Sequence, residues 1–93
     1  MMLEMRSAGT PAEVLAAAKR FFAGRNPIYA AFLEKEGPNY LALRGQGGEE
    51  IVIAAEAIEG GSAVRGSTYL FDQQLHRFFS TLDSLPQAQG TGP

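Results

Sequence analysis

The chain has 93 residues, with 8 basic and 10 acidic side chains, a formal net charge of −2, and neither cysteine nor tryptophan. Absent cysteine excludes a disulfide scaffold, a thiolate metal site and a cysteine nucleophile. The slightly acidic balance argues against a nucleic-acid surface, which needs surplus cations to release counterions.

The length suits one domain over residues 1–86 and a flexible tail over 87–93, where Gly, Pro, Gln and Thr offer no apolar anchor. The uncharged apolar stretches, 51–55 among them, fall far short of the ~20 residues that span a bilayer. The N-terminal residues lack the apolar stretch of a signal peptide. A cytoplasmic location without membrane attachment is the expectation.

Residues 1–6 alternate, with Met1, Leu3 and Met5 set against Glu4 and Arg6, and read as a short strand. Thr10-Pro11-Ala12-Glu13 is a capping box with proline at the first helical position. Val14, Leu15, Ala18, Phe21 and Phe22 then recur at helical spacing, which predicts a helix over 11–23. Gly24 and Pro27 stop it.

Four strand-like runs follow, at 28–36, 40–44, 49–59 and 62–71, separated by Gly, Pro and Asn turns. Gly66 inside the last run marks a bulge or a close approach. Asp72 is placed to cap a final helix, with Leu75, Phe78, Phe79, Leu82 and Leu85 on one stripe and Pro86 as its stop. The fold class is α+β, in the order β-α-β-β-β-β-α, with an antiparallel sheet and two helices packed on one face.

The strand faces carry the functional reading. In 49–59 one face shows Ile51, Ile53, Ala55 and Ala57, and the other Val52, Ala54, Glu56 and Ile58. In 28–36 neither face is polar until Glu34 and Glu36, which alternation puts on one face. An antiparallel sheet with one wet face should alternate cleanly. Two helices cover one face, so the other needs a partner. The expectation is a small non-enzymatic binding module. It self-associates as a homodimer through an apolar sheet face, with room for a small apolar ligand. An accessory subunit of a larger protein is an alternative.

Chemistry is sparse. His76 lies near Asp72 and Ser80 on the last helix, but three neighbours on one helix supply neither an oxyanion hole nor a cleft. No catalytic residue, metal ligand or cofactor is assigned. Glu56 sits on a mostly apolar face, where an ion pair with Arg44 or Arg65 is expected over a general base. Tyr29, Glu56, Arg65 and Tyr69 are the ligand-binding candidates, with Tyr40 beside them, since arginine and tyrosine together hold anions or planar groups.

The stretch Ile58-Glu59-Gly60-Gly61-Ser62-Ala63-Val64-Arg65-Gly66-Ser67-Thr68-Tyr69-Leu70-Phe71 precedes a helix carrying Leu75, Phe78, Phe79 and Leu82. This pairing of a Gly-Gly hairpin, a long last strand and a packed terminal helix resembles the end of helix-grip domains, the Bet v 1/START-like group that includes polyketide cyclase-like proteins. The resemblance covers about the last 35 residues and carries no functional residue. It implies a cleft for lipids, hormones or polyketides between sheet and helix. A small polyketide-cyclase-like enzyme is therefore the other alternative.

Overall fold

The computed structural model describes residues 1–24 and 30–84. Thr10 opens the first helix. Its hydroxyl accepts from the Glu13 N–H at 3.1 Å, and the Glu13 carboxylate accepts from the Thr10 N–H at 2.8 Å. Two end donors are thus satisfied reciprocally. This helix, α1, is Pro11–Ala23, as its spacing predicts.

The strands are β1 (Met2–Ser7), β2 (Ala31–Gly37), β3 (Tyr40–Gly45), β4 (Glu50–Ile58) and β5 (Gly61–Tyr69), and the chain continues into α2 (Asp72–Ser80). They form one antiparallel sheet in the order β1-β5-β4-β3-β2. Strands β2 to β5 are a meander, and the first strand returns to pair with the last. The β4–β5 hairpin closes through Glu59 and Gly60. Gly60 sits at φ +84°, a backbone region that side chains disfavour.

Both helices lie on the same face. Helix α1 crosses β4, β2 and β5, and α2 crosses β5 and β1. Between them and the sheet are Leu41, Leu43, Ile51, Ile53, Ala55 and Val64 from the strands. Val14, Ala18, Phe22, Leu75 and Phe78 come from the helices, and each is almost fully buried. The Phe78 ring packs at a tilt 5.6 Å from Phe21 and 5.7 Å from Phe22, ring centre to ring centre, so the two helices meet through aromatic rings. Gly66 is a close-approach point. A Cβ there would stand 2.8 Å from Leu75 Cδ1 and from Phe79 Cε1.

Four local expectations are corrected. Strand β2 begins at Ala31; Ile28 and Tyr29 lie outside the described residues, as do Leu85, Pro86 and the tail 87–93. The cap position of α2 is Phe71, with no side-chain cap bond, and Asp72 is the first helical residue. The cause is Leu70, whose φ of +81° turns the chain so that Phe71 enters the core. Helix α2 ends at Ser80, where the Thr81 N–H and hydroxyl both engage the Phe78 carbonyl, and Leu82 packs on the core from beyond the helix.

Finally, Glu34 and Glu36 do not share a face. The β2–β3 register slips between Leu33 and Lys35, leaving Glu34 as a bulged extra residue. Glu34 turns to the face away from the helices, toward Arg44. Glu36 faces α1 and pairs with Lys19 at 2.6 Å.

Candidate functional site on the open face of the sheet

Antiparallel pairing puts directly opposed residues on one face. The register therefore orders the face away from the helices into rows. The first row is Phe32, Arg44, Glu50 and Tyr69. The second is Lys35, Ala42, Val52, Ser67 and Met2. The third is Gly37, Tyr40, Ala54, Arg65 and Glu4. The fourth is Glu56, Ala63 and Arg6.

The centre of this face is small and largely withdrawn from solvent: Ala42 is buried, and Val52, Ala54, Ala63 and Ser67 are half-buried. Large side chains stand around it. Phe32 is 59% exposed, Tyr40 38%, Met2 61% and Tyr69 71%. Among the described residues, neither helix touches this side. The face is less apolar than the composition of 49–59 suggested, because its neighbours contribute Arg44, Arg65, Glu4 and Arg6. The apolar part is a stripe, bounded by charge.

Those charges are mostly matched. Arg44 donates from Nε to Glu34 Oε2 at 2.8 Å and from Nη2 to Glu34 Oε1 at 3.1 Å, a two-point grip. It also reaches the Gly48 carbonyl at 3.2 Å and lies 3.7 Å from Glu50. The Arg44 guanidinium, hydrogen-bonded to Glu34, holds that carboxyl below the usual carboxylate range, and Arg44 in turn keeps its proton more tightly. Arg65 Nε stands 3.4 Å from Glu4 Oε2.

The fourth and third rows border an open cleft of about 580 Å³, lined by Glu4, Arg6, Asn39, Ala54, Glu56 and Arg65 among others. Two predicted binding residues, Glu56 and Arg65, thus come together there. Tyr69 shares the face but stands at the far end of the sheet, beside a second cleft of about 570 Å³ near the start of α2. Tyr29 lies outside the described residues.

The expected ion pair of Glu56 with Arg44 or Arg65 is not formed. The register sets Arg44 against Glu50 and Arg65 against Ala54, and the two arginines pair with Glu34 and Glu4 instead. Glu4, Arg6 and Asn39 were not among the candidates. The alternation of residues 1–6 already separated Glu4 and Arg6 from Leu3 and Met5. Only the pairing of β1 with β5 could bring them to Arg65.

His76 and Ser80 are exposed on α2, and the Ser80 hydroxyl donates to the Arg77 carbonyl at 2.7 Å, so no serine–histidine relay is assembled. Among the described residues no group of three His, Asp or Glu could hold a metal ion, and no helix is long and apolar enough to cross a membrane. The arrangement is a small-residue floor with an arginine–tyrosine rim. Comparison of the chain with family models, curated proteins and solved structures found no match.

Proposed function

We propose that the chain is a non-enzymatic interaction module that associates with a second copy of itself through the open face of its sheet. The observation that carries this reading is the stripe of Ala42, Val52, Ala54 and Ser67, on which neither helix packs. Apolar surface left open on a sheet of this size favours association, at about 25 cal/mol per Å² withdrawn from water. The rim of tyrosine, phenylalanine and arginine is the composition that contact surfaces favour.

A second copy laid over the face also covers the Arg65 side of the cleft and leaves its Glu56 side open. The space would suit a small ligand with an apolar body, held at one end by Arg65 or Glu56.

The test is native mass spectrometry together with light scattering on gently purified protein. A dimer is expected, and Val52→Asp should return it to a monomer with an unchanged circular dichroism spectrum. Retained extra mass would identify a ligand. A wild-type chain that stays monomeric at all concentrations would sink the reading.

A further inference from the structure

We propose that the two copies meet about a two-fold axis running across the strands, along the row Ala42, Val52 and Ser67. This rests on the association reading above and adds the geometry of the contact, which the charges on the face select.

A two-fold axis lying between two stacked sheets and crossing their strands sets every strand over its own copy. The middle row meets itself: Ala42 over the partner's Ala42, Val52 over the partner's Val52, Ser67 over the partner's Ser67. All are small, so the sheets approach closely. The flanking rows exchange. Arg44 comes over the partner's Tyr40, and Tyr69 over the partner's Arg65. Glu50 lies over the partner's Ala54, and Phe32 over the partner's Gly37, a large side chain against a small one each time. Symmetry doubles every contact, giving four arginine–tyrosine pairs of the cation–π kind. At the two ends of that row Lys35 and Met2 also face their own copies; both stand at the solvent rim, where the long Lys35 side chain can turn to water.

Other axes fare worse. Moved to the gap between the second and third rows, the axis sets Glu50 against the partner's Glu56. Moved to the third row, it sets Arg65 against the partner's Arg65 and Glu4 against the partner's Glu4. An axis along β4 opposes Glu50 to the partner's Glu50 and Glu56 to the partner's Glu56. An axis along the strands between β4 and β5 avoids like charges, but puts Arg65 over the partner's Ala54 and makes none of the arginine–tyrosine pairs.

Overlap under the proposed axis runs from Glu50 to Ala54 on β4. That is about 17 Å along the strands and about 24 Å across five of them, so roughly 400 Å² in projection. The two faces together bury about 800 Å², less than stable specific interfaces do, so the pair is a weak, reversible one. Its dissociation constant should rise roughly tenfold in Tyr40→Leu or Tyr69→Leu.

The chain has no cysteine, so single cysteines report the axis cleanly. Ala42→Cys and Ser67→Cys proteins are treated separately with a short bismaleimide. Each alone should form a covalent dimer. Cross-linking only when Ala42→Cys and Ser67→Cys proteins are mixed would place the axis along β4. Cross-linking only between Val52→Cys and Ser67→Cys would place it between β4 and β5. Either result overturns this axis and leaves the association reading standing. A monomer by light scattering, with no cross-link in any combination, overturns both.

Discussion

Arg44 holds Glu34 at two points, 2.8 and 3.1 Å apart, across a strand pair whose register slips at Glu34 itself. Alternation from Phe32 sets Glu34 on the Arg44 face, and the bulge brings Lys35 onto that face and turns Glu36 to the other. The Glu34 carboxyl should titrate below its ordinary 4.5, and Arg44→Gln should move it back up, as read by carboxyl carbon chemical shifts. The folded carboxyl is more acidic than the unfolded one. The contact therefore contributes fully above pH 4.5 and is lost as pH falls through the lowered folded value. The difference in urea midpoint between the wild type and Glu34→Gln should shrink over that acid range. A difference independent of pH there would contradict the assignment.

Gly66 should not tolerate a side chain. The Cβ of alanine would press on Leu75 and Phe79, both of which are held in the core. Gly66→Ala is expected to cost about 1–3 kcal/mol, because crowding a packed interior forces side chains off their rotamers. Denaturant unfolding measures this. Stability equal to wild type would mean that α2 can slide on β5.

Phe78 ties the two helices to each other and to the sheet. It is fully buried and meets the rings of Phe21, Phe22 and Phe79. Phe78→Ala should cost about 3–5 kcal/mol, the usual loss when a buried phenyl leaves a cavity. Calorimetry should show a large fall in midpoint with a single transition retained.

Glu56 offers the contrasting case. It is exposed, and no ion pair reaches it from Arg44 or Arg65. Under the proposed axis it projects past the end of the partner sheet. Glu56→Gln should leave stability within about 0.5 kcal/mol of wild type and leave the dimer intact. A dimer lost on this change would place the contact nearer the cleft than the middle row.

What could be read from sequence and what could not divide along the range of the interactions. Helix α1 was legible to its last residue because its start is a four-residue signal, Thr10 to Glu13, and its stop is local. The β4–β5 hairpin was legible because Gly60-Gly61 breaks the apolar run, although the turn falls one residue earlier, at Glu59 and Gly60. The pairing of β1 with β5 was not. It joins residues more than fifty positions apart, and nothing in residues 1–6 names a partner. For that reason Glu4 and Arg6 stayed off the candidate set, and Arg65 was matched with Glu56 where Glu4 holds it. The slip at Glu34 was hidden for a different reason: strict alternation assumes an unbroken pleat, and one extra residue reverses the face of everything on one side of it. Phe71 displaced Asp72 from the cap position because core burial of a phenyl ring outweighs one exposed capping bond.

The slip at Glu34 has a bearing on growth as well as on charge. Strand β2 is the last in the sheet, and an unbroken outermost strand would present a straight row of backbone donors and acceptors to the next molecule. Such rows seed ribbons that lengthen without limit. A kinked row, carrying Glu34, Lys35 and Glu36 in succession, cannot be matched by a neighbour's straight one. Sideways addition at this border is thereby closed off.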